Sequence, residues 1–157
     1  MTPMETIPKL TIDDIYISPF TARRVYNEDG VMSYVPIERN TTPTGVTVID
    51  RLLQEMAAGN SDPHHLAVMC RCTSDDLSGM LRVLTGWNLA EFRRQYFFRF
   101  ADDLLRYTDL SVDKIARRIG AGSASNLCQQ FIEYRHFTPK QRRIALQQPR
   151  DAGRYRM

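Results

Sequence analysis

The sequence lacks the features of membrane and secreted proteins. No run approaches the roughly 18 consecutive apolar residues that a membrane-spanning helix needs. The first residues, MTPMETIPKL, contain no basic segment followed by an apolar one. The three cysteines, Cys70, Cys72 and Cys128, are too few and odd in number for a disulfide framework. We therefore expect a cytoplasmic protein with reduced thiols and no membrane partner.

Residues suited to catalysis or metal binding are also sparse. The chain has three histidines, and no motif places a nucleophile beside a base. His64-His65 with Cys70-x-Cys72 suggests a metal site, but Cys70 and Cys72 correspond to the apolar residues Ile119 and Ala121 at an offset of 49, which favours buried thiols. Gly120-Ala121-Gly122 follows no strand and lacks the third glycine of a dinucleotide-binding loop. The sequence indicates no enzyme, no metal and no cofactor.

The composition is that of an ordinary folded domain, but its charge is unevenly distributed. Of 157 residues, 43% are hydrophobic and 25% charged, and the net charge is +3. Residues 1–63 have five Lys/Arg and nine Asp/Glu, whereas residues 64–157 have 16 and nine, a net charge of +7. A basic C-terminal body suits a polyanionic partner such as DNA. The alternative is a charged face that is merely solvated.

Residues 1–45 read as a short N-terminal arm with β-like patterning. Ile12, Ile15 and Ile17 suggest one strand, and Val25 to Val35 suggest a hairpin whose turn is 27–30. Residues 36–45, with two prolines and a glycine, resemble a linker. Such an arm is too short to enclose a small-molecule cavity, since an eight-stranded barrel of five-residue strands takes about forty residues before its loops. We expect the arm to pack on the helical body, with self-association through its open strand edge as the second possibility.

From Val46 the periodicity becomes helical and predicts one domain over residues 46–148, followed by a basic tail, 149–157. A first helix carries an apolar stripe and ends near Gly59-Asn60. Asp62-Pro63 begins a second helix, Thr73 or Ser74 a third, and a long helix spans about Leu89 to Tyr107. Ser111, Ser123 and Thr138-Pro139 then begin three more, the middle one with Leu127, Phe131 and Tyr134 inward.

The helices contain an internal repeat. Leu66-Ala67 corresponds to Ile115-Ala116 at an offset of 49, and Leu77, Leu81 and Trp87 correspond to Leu127, Phe131 and Phe137 at an offset of 50. Each copy consists of a short helix, a tight turn and a second helix with its own capping hydroxyl. The small alanine lets the second helix cross closely over the first. This is the helix-turn-helix pattern, with units at about 62–86 and 111–137.

Several motifs in a fixed order carry a resemblance to a known family. They are Leu66-Ala67, the segment Leu77 to Gly86, Phe92 nine residues before Ala101, Ala101-x-x-Leu104-Leu105, Thr108 to Val112, Ile115-Ala116-x-x-x-Gly120, Phe131, and Thr138-Pro139 ahead of Arg143. Over about residues 64–146 the sequence resembles the double helix-turn-helix domain of bacterial AraC/XylS-type transcription regulators. The resemblance implies a mainly α, homeodomain-like fold in which a linker helix, about 89–107, joins two DNA-reading units.

The length of the linker helix supports two DNA-reading units independently of the resemblance. A helix of some twenty residues is about 30 Å long, close to the roughly 34 Å between successive major grooves on one face of B-DNA. We therefore expect a sequence-specific regulator that reads two successive major grooves and associates with the nucleoid. As a transcription regulator it has RNA polymerase as a possible second partner.

The candidate DNA contacts divide into two groups. Candidate base-reading residues are Ser125, Asn126 and Gln129 on the second unit and Ser74 and Ser78 on the first. Candidate phosphate contacts are Ser123, as an N-cap, and the cations Arg82, Arg117, Arg118, Lys140, Arg142 and Arg143. The alternative for each cation is a solvated helix residue. The acids Asp75 and Asp76 suit the helix dipole better than a DNA surface.

The sequence also departs from the family's pattern. Phe97 stands in place of an arginine, Ala121 of a large apolar residue, His136 of a glycine and Arg142 of an aromatic residue. A competing hypothesis from another class is therefore a protein–protein adaptor built on a degenerate helix-turn-helix fold. Asp75 and Asp76 favour that alternative, whereas the outer face from Ser125 to Gln129 favours DNA.

Overall fold

The computed structural model describes residues 10–38 and 43–157, and this part of the chain is mainly helical with a small three-stranded sheet. The first nine residues of the predicted arm and the middle of the predicted linker lie outside the described residues. The elements are α1 (Ile12–Ile15), β1 (Ala22–Tyr26), β2 (Met32–Pro36), α2 (Thr47–Ala57), α3 (Pro63–Cys70), α4 (Ser74–Thr85), α5 (Leu89–Tyr107), α6 (Val112–Arg118), α7 (Ala124–Arg135), α8 (Pro139–Leu146) and β3 (Tyr155–Arg156).

The chain forms two compact units, each with its own core. Of the described residues, the first unit contains 10–17 and 43–96, and the second contains 18–38 and 97–157. The boundary falls inside α5, so each unit includes part of that helix.

The first unit is built from α1 to α4 and the beginning of α5, and its helix ends follow the predicted caps. The Asp62 carboxylate accepts a hydrogen bond from the His65 N–H at 2.9 Å, and Pro63 is the first residue of α3. Thr73 caps α4 in a capping box with Asp76. The fully buried residues of this core include Leu52, Leu66, Leu77, Leu81 and Phe92.

One expectation for the arm was wrong, because the segment read as a first strand is the helical turn α1. The Asp14 carboxylate accepts hydrogen bonds from both the backbone and the hydroxyl of Thr11, which hold the pKa of Asp14 below its ordinary value. This Thr-x-x-Asp capping box favours a helical turn over the strand that the spacing of Ile12, Ile15 and Ile17 suggested. Just after it, Tyr16 is buried with its ring 5.2 Å from that of Tyr96.

The second unit contains the predicted hairpin and a strand that the sequence did not reveal. β1 pairs antiparallel with β2 from Ala22 opposite Pro36 to Tyr26 opposite Met32, around the turn at 27–30. The C-terminal segment, expected as a basic tail after an all-helical body, instead adds β3 to the other edge of β1. The reason is aromatic packing: the ring of Tyr155 lies 5.3 Å from Phe20 and 4.8 Å from Tyr107.

Comparison of the two repeats shows how His136 takes the place of a glycine at the end of α7. α4 ends at Gly86 with φ of 84°, and α7 ends at the equivalent position, His136, with φ of 65°. A left-handed conformation costs a non-glycine residue about 1–2 kcal/mol. The His136 N–H nevertheless donates to the carbonyls of Phe131 and Ile132. α7 therefore ends with the hydrogen bonds of a glycine C-cap, and the backbone of His136 is strained.

A buried carboxylate fixes the C-terminal segment. Asp151 accepts hydrogen bonds from the Gln148 N–H at 2.9 Å and from Nε of Arg106, on α5, at 3.1 Å. Burial by itself raises the pKa of Asp151, but these two hydrogen bonds and the charge of Arg106 outweigh it and hold the pKa below its ordinary 3.8. Asp151 thus anchors the segment that supplies β3.

We predict that Asp151→Asn lowers the free energy of unfolding by about 1–2 kcal/mol at neutral pH, because a charge-assisted hydrogen bond becomes a neutral one. The folded pKa lies below the unfolded value of 3.8. The contribution is therefore present above about pH 4 and disappears as the pH falls through the folded pKa. Denaturant unfolding of both proteins at neutral and acidic pH measures this.

Asp29→Asn is the matched control, because it removes the same charge from the exposed hairpin turn of the same unit. Its effect should stay within about 0.5 kcal/mol. Equal losses in the two variants, or a difference between wild type and Asp151→Asn that grows on acidification, would contradict the assigned role.

Candidate nucleic-acid interface

The strongest candidate surface lies on α7, which a tight turn connects to α6. The Ala121 and Gly122 N–H groups both donate to the carbonyl of Ala116, at 2.7 and 3.2 Å, and close the turn. Ser123 caps α7 by accepting a hydrogen bond from the Asn126 N–H at 3.2 Å. Ser123 therefore lies at the predicted N-cap, with its hydroxyl already used by the helix.

The inner face of α7 holds the helix against the rest of the second unit. Leu127 and Phe131 are fully buried, as are Ile115 and Ala116 of α6, which α7 contacts. The ring of Phe98, on α5, meets that of Phe131 edge to face at 5.2 Å, so an aromatic side chain of α5 packs on the inner face of α7. Tyr134, expected to be inward, is 45% exposed because it sits at the edge of the buried stripe.

The outer face of α7 presents the three predicted base-reading residues of this unit. Ser125, Asn126 and Gln129 are all exposed. The Asn126 side chain donates to the Ala121 carbonyl at 2.8 Å, so one of its amide hydrogens is already used to hold the turn. Ser125 and Gln129 are four residues apart and share one side of the helix. Both offer exposed hydrogen-bonding groups on that side.

The first unit presents its candidates differently. Ser74 is exposed at the start of α4, whereas Ser78 is half-buried and its hydroxyl accepts a hydrogen bond from the Leu89 N–H at 3.0 Å. Ser78 thus satisfies a backbone donor at the beginning of α5 instead of facing outward. Asp76 is used in the cap of α4, and Asp75 is exposed in its first turn.

The candidate phosphate contacts separate into exposed and internally bonded cations. Arg82, Arg118 and Lys140 are exposed. Arg117 is exposed as well but forms an ion pair with Asp113, one turn away, at 3.0 Å, a pair of little energetic value at the surface. The two remaining arginines, Arg142 and Arg143, have partners inside the second unit.

Arg142 belongs to a cluster centred on Asp102, which the sequence reasoning missed. The Asp102 carboxylate accepts two hydrogen bonds from Arg135 at 2.8 and 3.0 Å and two from Arg142, both at 3.1 Å. The Arg135 guanidinium lies 5.0 to 5.3 Å from the centroids of three aromatic rings, one of which is Phe137. The Arg142 guanidinium lies 5.5 Å from the centroid of the same Phe137 ring. The adjacent acids Asp102 and Asp103, which follow the phenylalanine-rich stretch of α5, were the available signal.

Arg143 is bonded to the backbone where α5 ends. Its guanidinium donates to the carbonyls of Leu105 at 3.0 Å, Thr108 at 3.3 Å and Leu110 at 2.6 Å. Burial lowers its pKa, which matches a cation enclosed by carbonyls. This position supports a structural role and removes Arg143 from the accessible phosphate contacts.

The cysteines and histidines do not converge. Cys70 is buried, and burial raises the pKa of its thiol. His65 lies 3.3 Å from a carboxylate oxygen of Glu55. Among residues 10–38 and 43–157, no group of three or more His, Cys, Asp or Glu is arranged to hold a metal ion. Nor does any helix in that part of the chain have the length and apolar character that a membrane span requires.

Comparison with known proteins found no matching family model, no similar curated protein and no similar solved structure. The geometry of α7 and its surroundings is therefore the basis for a functional assignment.

We predict that Arg143→Ala lowers the free energy of unfolding by about 1–3 kcal/mol, because it removes charge-assisted hydrogen bonds to three carbonyls. Lys140→Ala, which removes an exposed cation from the same helix, should change stability by no more than about 0.5 kcal/mol. Denaturant unfolding compares the two variants. Similar stability of both would show that the bonds to the end of α5 contribute little.

Proposed function

We propose that this protein is a sequence-specific DNA-binding transcription regulator of AraC/XylS type. Its second helix-turn-helix unit, α6 and α7, is the principal reader of bases. The observation that carries the proposal is the two-faced character of α7: a buried apolar face fixes the helix, and Ser125 and Gln129 are exposed together on the other. A supported helix with a polar outer face is what a major groove accepts.

The chemistry of the outer face supports base recognition more than general attraction to phosphate. A glutamine amide presents one donor and one acceptor and matches the N6 and N7 edge of adenine. A serine hydroxyl both donates and accepts. Neither side chain carries charge, so their contribution to binding depends on hydrogen-bond geometry and therefore on base identity.

Exposed cations on other helices of the same unit support the same proposal. Arg118 on α6 and Lys140 on α8 belong to the same unit as α7, and both are exposed. Cations placed in this way hold a reading helix in register through the phosphate backbone. The net charge of +7 on residues 64–157 provides the long-range attraction.

We predict that Gln129→Ala costs about 1–3 kcal/mol of binding free energy at the preferred site and relaxes the preference at one base pair. The site comes from selection on a random duplex pool, and affinities are then measured on duplexes that vary one base pair at a time. Gln54→Ala makes the same change at an exposed position of α2 and should leave binding unaltered. Equal weakening of Gln129→Ala on every sequence would refute base reading.

We also predict that Arg118→Ala weakens binding to all sequences similarly and lowers the slope of log affinity against log salt by about one unit. The cause is the loss of one phosphate contact and of the counterion that it releases. Affinity measured across a salt series gives the slope. An unchanged slope would show that Arg118 is only a solvated helix residue.

A second candidate function applies to the first unit. α4 presents an exposed acid, Asp75, together with Val83, whose side chain is 72% exposed. A carboxylate is repelled by phosphate, whereas a mixed acidic and apolar face suits a protein partner. If α4 binds protein, Arg82→Ala on the same helix leaves the salt slope unchanged, and if α4 lies on DNA the slope falls by about one unit.

A further inference from the structure

A cleft in the second unit concentrates positive charge away from α7. It has a volume of about 320 Å³ and lies between β1 and the C-terminal segment. The residues that line it are Arg24, Tyr26, Pro149, Arg150, Asp151 and Arg154. Three arginines and one aspartate therefore line one concave surface.

The single carboxylate is largely occupied elsewhere. The Asp151 side chain is 5% exposed and is held by Arg106, which does not line the cleft. Its nearest approach to a lining cation is the 3.7 Å between Oδ1 and Nη1 of Arg154. The lining residues have a net charge of +2, and the carboxylate that partly balances them is nearly fully buried.

The cleft is built by specific bonds between its two sides. Nη2 of Arg24, on β1, donates to the carbonyl of Arg150 at 2.7 Å. The hydroxyl of Tyr34, on β2, donates to the carbonyl of Gly153 at 2.5 Å. Arg150 has φ of 71°, a left-handed conformation that costs an arginine about 1–2 kcal/mol. The backbone thus holds a cation at the rim in a conformation that it does not favour by itself.

We propose that this cleft binds the terminal phosphate group of a small phosphorylated molecule. Guanidiniums match phosphate oxygens in paired hydrogen bonds, and arginine is preferred where such recognition is needed. A phosphate monoester carries a charge of about −1.5 to −2 at neutral pH, which complements the lining's +2. A phosphodiester of a nucleic acid backbone carries only one negative charge per phosphate.

The dimensions favour the same class of ligand. Small-molecule sites have volumes of about 300–1,000 Å³, and this cleft lies at the lower end of that range. It is an open surface cleft. The proposal is independent of DNA binding by α7.

Binding should reinforce the sheet, because the ligand bridges β1 and the C-terminal segment. A ligand that binds only the folded state raises the melting temperature in proportion to the logarithm of its concentration above Kd. Inorganic phosphate and ribose 5-phosphate are suitable probes for the full chain without DNA. Chloride at the same ionic strength serves as the reference, and isothermal titration calorimetry gives the affinities.

We expect both probes to bind, and Arg154→Gln and Arg150→Gln each to weaken binding by about tenfold, the effect of losing one charge-assisted hydrogen bond. Arg23→Gln is the matched control, because it removes the same charge from an exposed position of β1 outside the cleft. Its affinity should stay within about twofold of wild type. Circular dichroism verifies that each variant is folded. If one cleft variant does not fold, the other still tests the proposal.

Two results would overturn the proposal. The first is no binding of either probe by the wild type, or equal binding by the folded cleft variants and the wild type. The second is a cleft variant that binds both probes normally but loses affinity for duplex DNA with a lower salt slope, since the cleft would then be a DNA backbone contact. Because the probes are tested without DNA, neither result depends on whether α7 reads bases.

Discussion

The geometry of the second unit depends on the carboxylate of Asp102. This one group on α5 accepts four hydrogen bonds, two from Arg135 at the end of α7 and two from Arg142 on α8. All three side chains are mostly buried, at 19–27% exposure. Removing a carboxylate in such a position leaves two cations without their partner, which is costly in proportion to their burial. The orientation of α7, and hence of its outer face, is tied to α5 through this contact.

The interior of the second unit gives a physical reason for two departures from the AraC/XylS pattern. Arg142 stands where that family has an aromatic residue, and here it stacks on Phe137 while it bonds Asp102. Phe97 stands in place of an arginine, and it is buried with its ring 5.3 Å from Phe98. Both residues contribute to the interior of the second unit. In the proposed regulator these changes therefore affect packing more than the groups available to DNA.

Local signals in the sequence predicted the helices well, because caps and apolar stripes act over one or two turns. The long helix was expected at Leu89 to Tyr107 and occupies those residues. Long-range contacts left no periodic signal: Asp102 meets partners 33 and 40 residues away. For the same reason β3 was missed and Arg142 and Arg143 were grouped with the exposed cations. Ser78 shows the limit for single positions, since its hydroxyl serves a backbone N–H eleven residues along the chain.

NMR of the ¹⁵N-labelled full chain can detect whether the outer face of α7 contacts DNA, as the proposed function requires. The side-chain amide of Gln129 gives its own signals, as does the backbone amide of Ser125. On titration with the duplex selected from a random pool, we expect large shifts of these signals, and smaller shifts when one contacted base pair is changed. Unperturbed Ser125 and Gln129 signals at saturating DNA, with shifts confined to other surfaces, would contradict the proposed function.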